Sequence, residues 1–194
     1  MMRIITGTAR GTKLETPDGM NTRPTSERAK EAVFSCLQFG LRGKCVLDLF
    51  AGSGQMGLEA LSRGAGEAYF CDMSAEAIAA VKKNAEKTHL ADRCRIFRTD
   101  AVEFLRSAAG TRRFDIVFID PPYALGLVPK CLELLADGNL LAEDGIAVCE
   151  MARDDDPFGG RRDLSERFTV IREAVYGAAR VTLVGLAEKG DAKK

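Results

Sequence analysis

The sequence predicts an α/β domain built on a mostly parallel sheet that ends in an antiparallel element. Between residues 44 and 150, short apolar runs and helically spaced segments alternate five times, the pattern of strands joined by crossover helices. Two further strand-like runs, 168–176 and 180–186, are separated only by Gly177-Ala178-Ala179, a spacing that suits a hairpin. The length of 194 residues and the 46% apolar content suit one compact domain with at most a small appendage.

The elements follow in chain order. Arg3-Ile4-Ile5 and Lys13-Leu14-Glu15 flank a Gly7/Gly11 turn region and predict a small hairpin. Asn21 to Arg28 leads into a helix reaching about Phe39, with Thr25 or Ser26 as cap and Ala29, Ala32, Val33, Phe34 and Leu37 as the apolar face. Lys44 to Phe50 reads as a buried strand, and 54–63 as a helix stopped by Gly64. Strand 68–71 is followed by a helix from Ala75 to about Lys87. Ser74 caps it, with Glu76 early and Lys82, Lys83 and Lys87 late, as the helix dipole prefers. Strand 94–99, helix 101–108, strand 114–119, helix 127–135 with Gly138 beyond it, and strand 145–150 complete the alternation. Residues 154–162 read as a polar loop, and the last residues as a frayed tail. The resulting division is an N-terminal extension, 1–43, a catalytic domain, 44–188, and a tail, 189–194.

Composition narrows the function classes. Equal numbers of bases and acids, 28 each, argue against a general polyanion binder. The zero balance hides a basic front end, however. Residues 1–44 carry eight bases (Arg3, Arg10, Lys13, Arg23, Arg28, Lys30, Arg42, Lys44) against four acids (Glu15, Asp18, Glu27, Glu31). No stretch approaches the roughly 18 uncharged apolar residues of a membrane helix, and no secretory segment marks the N-terminus. The six cysteines form no C-x-x-C pair. Cys45, Cys71 and Cys149 lie in apolar runs, which implies buried, reduced thiols and a cytoplasmic protein. A single histidine, His89, excludes a histidine metal cluster and argues against a Ser-His or Cys-His triad; no metal is expected. It ends a helix, where a solvated surface role is expected.

Four sites carry chemistry. Asp48-Leu49-Phe50-Ala51-Gly52-Ser53-Gly54 lies where the first strand of the alternation meets its helix, and glycines there let backbone approach a ligand closely. Gly52 to Gly57 also satisfies G-x-G-x-x-G, a weak signal alone, and no Walker lysine follows. Asp72 ends the next strand, 20 residues beyond Gly52, where a carboxylate can accept from both hydroxyls of a ribose. Asp100 ends the third, where it can accept from an adenine amine or simply cap the helix after it. Together they imply an adenosine-containing cofactor, either a dinucleotide or S-adenosylmethionine. The fourth motif, Asp120-Pro121-Pro122-Tyr123, decides between them. The prolines hold the backbone extended without an amide hydrogen. The Asp120 carboxylate and the Pro121 carbonyl then form an acceptor pair beside the Tyr123 ring. That arrangement suits a planar base with an exocyclic amine, stacked on the tyrosine. A hydride-transfer enzyme has no use for it.

These motifs resemble the class I S-adenosylmethionine-dependent amino-methyltransferases, with their Rossmann-like fold. The segments Ile5 to Gly11, Thr22 to Phe34 and Val175-Tyr176-Gly177 resemble the RsmD family of bacterial 16S rRNA (guanine-N2)-methyltransferases, over nearly the whole chain. The resemblance implies a seven-stranded sheet with an antiparallel last strand, helices on both faces, and a guanine(966)-N(2)-type activity on 16S rRNA or a 30S particle. It implies S-adenosyl-L-methionine as cofactor, held by Asp48, Ala51, Gly52, Ser53, Gly54, Asp72, Met73, Asp100 and Ala101. Gly52 and Gly54 would border its methionine part, Asp72 its ribose, Met73 and Ala101 the faces of its adenine, and Asp100 the adenine amine. Asp120, Pro121, Pro122 and Tyr123 would form the catalytic motif around the guanine.

Arg3, Arg10, Lys13 and Arg23 are candidate phosphate contacts. The target base must leave its stack to be methylated. The tetrapeptide is shared with adenine-N6 enzymes of DNA and RNA, so it specifies the reaction and not the base. A nicotinamide oxidoreductase would leave Asp120 to Tyr123 unexplained. A non-catalytic RNA-binding module would leave all four motifs without a purpose.

Overall fold

A computed structural model describes residues 2–17, 27–37 and 40–187. Thr25, Ser26 and Arg23, the end of the first helix at Phe39, and the tail 189–194 lie outside these. The strands form one seven-stranded mixed sheet of order β3-β2-β1-β4-β5-β7-β6. Here β1 is Cys45–Asp48, β2 Glu67–Asp72, β3 Cys94–Arg98, β4 Phe114–Ile119, β5 Leu141–Ala152, β6 Phe168–Tyr176 and β7 Ala179–Leu186. The helices are α1 (Glu27–Leu37), α2 (Gln55–Ser62), α3 (Ala75–Lys87), α4 (Ala101–Ala108), α5 (Val128–Asp137) and α6 (Arg162–Ser165). The chain divides into two compact units, Met1–Phe104 and Leu105–Lys194.

In the first unit, β1 pairs with β2 and β2 with β3, both parallel. Parallel strands point the same way, so Asp48 and Asp72 come to one edge, with Asp100 two residues beyond β3. Val46, Leu47, Phe70, Cys71, Leu58, Leu61 and Val81 form a core with 0% exposure. The predicted N-terminal hairpin is present as a single antiparallel bridge, Arg3 to Lys13, braced by Ile4 N–H to Thr12 O at 3.0 Å and Leu14 N–H to Met2 O at 3.0 Å.

Glu59 fastens this hairpin to α2. Its carboxylate is fully buried and accepts from the amides of Ile5 and Thr6 (2.7 and 3.0 Å) and from Arg63 Nε (2.8 Å). Lys30 of α1 lies 3.4 Å from it and donates to Arg3 O at 2.6 Å. Burial pulls the Lys30 ammonium below its usual value while Glu59 pushes it back up. Lys30 is therefore a core residue, not part of the solvated basic front end that a simple charge count suggests. Gly7, at φ 90, is where the chain closes on α2: a Cβ there would meet Ser62 O at 1.8 Å.

In the second unit, β4 pairs parallel with β5, and β7 pairs antiparallel with both β5 and β6. The turn between β6 and β7 is Gly177-Ala178, with Gly177 at φ 63, a conformation glycine adopts without strain. Strand β5 is longer than expected because it begins at Leu141, before a register shift between Phe114 and Ile116 of β4. The predicted polar loop is partly internal: Pro157 and Phe158 are buried, Phe158 stacks near Phe168, and 162–165 are helical.

Two helices close on left-handed residues other than glycine. Gly138 has ordinary helical φ, and the left-handed residue closing α5 is Asn139, at φ 51. Leu140 N–H then reaches Leu135 O at 2.9 Å. Exposed His89, at φ 57, closes α3 in the same way, with Leu90 N–H to Ala85 O at 2.9 Å.

Cys71 and Cys149 are buried, but Cys45, the first residue of β1, is only partly buried. No disulfide forms among the described residues. Burial pushes the Cys149 thiol up, and that of Cys94 to about 12. No helix among the described residues is long and apolar enough to cross a membrane.

Candidate active site

The first unit holds the glycine loop. Its start is set by Asp48, 4% exposed at the end of β1, whose Oδ2 accepts from Gly57 N–H at 2.9 Å. Gly54 begins α2 at φ 78 without a side-chain cap, so Asp48 satisfies a first-turn amide from outside the helix. Burial raises the Asp48 carboxyl to about 7. The Gly57 amide opposes that rise, and the Asp72 charge adds to it. Ala51 N–H is bonded to Cys71 O at 2.9 Å. Gly54 is a packing glycine, since a Cβ there would touch Phe70, Val81 and Leu58 at 3.3–3.4 Å. Gly52 differs: at φ 53 it faces open space, with nothing within 4 Å of a Cβ position.

Asp72 is half-buried and ties the loop to the next strand. Its Oδ2 accepts from Gly52 N–H and its Oδ1 from Ser74 N–H, both at 2.9 Å. Each oxygen keeps a further lone pair for a ligand hydroxyl. Met73 beside it is 70% exposed, an apolar side chain facing solvent. Asp100 caps α4, its Oδ1 accepting from Val102 N–H at 2.8 Å and Glu103 N–H at 3.2 Å, and Ala101 is buried behind it. The open face of Gly52, the Asp72 carboxylate, exposed Met73 and Asp100 make a donor-seeking, partly apolar edge that fits an adenosine-bearing group.

Sequence reasoning missed a residue that fastens the glycine loop. Asn84, fully buried in α3, donates to Ser53 O and Glu15 O at 2.9 Å and accepts from Glu15 N–H at 2.8 Å. Ser53 itself is 6% exposed and donates to Met2 Sδ at 2.8 Å. A signal existed: Asn84 interrupts the apolar stripe of Ile78, Val81 and Ala85, as Glu59 interrupts that of α2.

The second unit holds the tetrapeptide. Asp120 follows β4 directly and is half-buried; Pro121 is buried and Pro122 exposed. Pro122 has φ −53 and ψ 122 and leads into a single 3₁₀ turn, Tyr123–Leu125. The Tyr123 hydroxyl donates to Glu150 Oε1 at 3.0 Å. Strand β5 brings Glu150 there, since Ile119 and Cys149 are register partners. A cavity of about 330 Å³ opens here, lined by Pro121, Tyr123, Leu125, Glu150, Asp155 and Asp156 among others. Asp156 is occupied by its own turn, accepting from Phe158 and Gly160 amides at 3.2 and 2.7 Å.

The four candidate phosphate contacts fare differently. Arg10 and Lys13 are exposed on the hairpin, Arg3 is exposed but pairs with Glu27 at 3.3 Å, and Arg23 lies outside the described residues. Among the described residues no group of His, Cys, Asp and Glu could hold a metal ion.

Comparison with known proteins gives the family of the chain. Residues 2–185 match the family model described as "Conserved hypothetical protein 95". The ribosomal RNA small subunit methyltransferase D of Escherichia coli is 34% identical over 98% of this chain and 92% of its own. That of Haemophilus influenzae is 32% identical over 79% and 80%. The solved structure of the Escherichia coli yhhF protein superposes with a TM-score of 0.82 at 33% identity, covering 95% of this chain and 97% of the other. The antiparallel-ended sheet, the family match and these relatives agree, and the chain belongs to the RsmD family.

Proposed function

We propose that this protein transfers a methyl group from S-adenosylmethionine to the N2 amine of a guanine in 16S rRNA, as free RNA or within a 30S assembly particle, an activity of the guanine(966)-N(2) type. The observation that carries the reading is the cavity beside Asp120-Pro121-Pro122-Tyr123, whose tyrosine ring is anchored by Glu150 at 3.0 Å. Its volume of about 330 Å³ lies at the lower end of small-molecule sites. The relatives' names supply the substrate class, ribosomal RNA.

The cofactor, when bound, supplies an electrophilic methyl carbon on a sulfonium, whose carbon–sulfur bond breaks as the new nitrogen–carbon bond forms. Asp72 would accept from its ribose, Asp100 from its adenine amine, and Met73 and Ala101 would lie against the ring, with Asp48, Ala51, Gly52, Ser53 and Gly54 shaping the loop. Tyr123 stacks the flipped base. The Asp120 carboxylate and Pro121 carbonyl accept the two amine hydrogens, which draws the nitrogen lone pair out of ring conjugation and orients it. The amine proton becomes acidic only once nitrogen carries the methyl, and it then leaves to Asp120 or to water. Asp120 is therefore chiefly an orienting acceptor. Residues 1–43 form the RNA-contacting extension, with Arg3, Arg10, Lys13 and Arg23 as its candidate phosphate contacts.

The test is transfer of labelled methyl from S-adenosylmethionine to unmethylated 16S rRNA and 30S particles, with nucleoside analysis. N2-methylguanosine is expected. N6-methyladenosine would move the base assignment to adenine, and no transfer to either RNA form would overturn the reading.

A further inference from the structure

The tetrapeptide leaves the choice of base open, because an acceptor pair beside a stacking ring serves any exocyclic amine. The missing information has to come from a group that meets the ring edge next to that amine. In guanine the neighbour of the N2 amine is N1–H, a donor. In adenine the neighbour of the N6 amine is bare N1, an acceptor. A carboxylate at that place accepts from guanine and repels adenine.

We propose that Glu150 is the specificity-determining residue of this cavity, its carboxylate accepting from guanine N1–H while Asp120 and Pro121 hold N2. This deepens the guanine reading above and rests on it. Three observations place Glu150 for the role. It is one residue beyond Cys149, the register partner of Ile119, as Asp120 is one residue beyond Ile119, so the two carboxylates lie just past the last parallel pair of β4 and β5. It lines the same cavity as Pro121 and Tyr123. Its Oε1 accepts from the Tyr123 hydroxyl at 3.0 Å, which ties it to the stacking ring.

The experiment compares guanine with 2-aminopurine at the target nucleotide of 16S rRNA in reconstituted 30S particles. The analogue keeps the N2 amine and carries a lone pair at N1 in place of N1–H. For wild type, kcat/KM should favour guanine by about 10- to 100-fold. E150A should slow guanine methylation and shrink that preference to within about threefold. E150Q, whose amide can donate to bare N1, should raise the relative rate on 2-aminopurine. Y123F keeps the ring and removes only the hydroxyl, so it should retain the preference even if it is slower. Binding of S-adenosylhomocysteine checks that each variant is folded.

The proposal is overturned if wild type shows no preference for guanine. It is equally overturned if E150A and E150Q keep the wild-type preference, or if Y123F erases it as fully as E150A does, since Glu150 would then act only by holding the ring. A wild-type product of N6-methyladenosine would instead remove the guanine reading itself, and is distinguished by the nucleoside analysis.

Discussion

The edge of the first unit and the cavity of the second use carboxylates in opposite ways. Asp48, Asp72 and Asp100 are each bound to backbone amides of their own unit: Gly57, then Gly52 and Ser74, then Val102 and Glu103. Glu59 repeats the habit beneath the N-terminal hairpin. Glu150, in contrast, meets a side chain, the Tyr123 hydroxyl, on the wall of a cavity. Carboxylates bonded to amides set the course of the chain, and any ligand they take must use their remaining lone pairs. A carboxylate on a cavity wall tied to an aromatic ring can act on what enters. The difference teaches that a carboxylate's place along the sheet does not by itself tell whether it braces a loop or lines a cavity.

The comparison is broken or sharpened by variants on each side. Asp120→Ala should reduce methyl transfer by about 10²- to 10⁴-fold while changing S-adenosylhomocysteine affinity by less than about threefold. Asp72→Ala should instead weaken that affinity by about tenfold or more. Single-turnover kinetics and titration calorimetry measure the pair, and equal loss of affinity in both variants would refute a division of labour between the units.

Glu59→Ala leaves the buried Lys30 ammonium without its counter-ion and two amides without their acceptor. Removing one partner of a buried pair costs about 3–5 kcal/mol, which should appear as a lower urea midpoint. A change within about 1 kcal/mol would mean that the hairpin is held by other contacts.

The smallest effect is expected at Asp48. Its folded-state pKa, about 7, is raised from 3.8, so between those values the folded state holds a proton that the unfolded state has released. Stability contributed at this position is therefore lost as pH rises from about 4 to about 7. Asp48→Asn keeps an acceptor for Gly57 N–H and removes the titration. Thermal midpoints at pH 5 and pH 8 should then differ less in the variant than in the wild type, and an unchanged difference would show that Asp48 does not titrate in this range.

Much of the fold is legible along the chain because it depends on local patterning. The apolar runs of β1, β2 and β4, the Ser74 cap that accepts from Ala77 N–H, and the short β6–β7 spacing are each readable within about ten residues. The hairpin of residues 3 and 13 was legible for the same reason. The differences arise where burial overrides pattern. Lys30 reads as a surface base until α1 is laid on α2. Pro157 and Phe158 look like loop residues but pack inside the second unit.

The candidate site divides along the same line. By itself the sequence determined the strand–helix alternation, the glycine loop, the strand-end position of Asp72 and the Asp120–Tyr123 motif, because each is a contiguous segment whose backbone demands are local. Only the tertiary structure decided that Asn84 fastens Ser53, that Glu59 seats the hairpin, and that Glu150 meets Tyr123 across 27 residues of sequence. Those pairings depend on strand register and helix packing, which bring together residues that no local spacing relates.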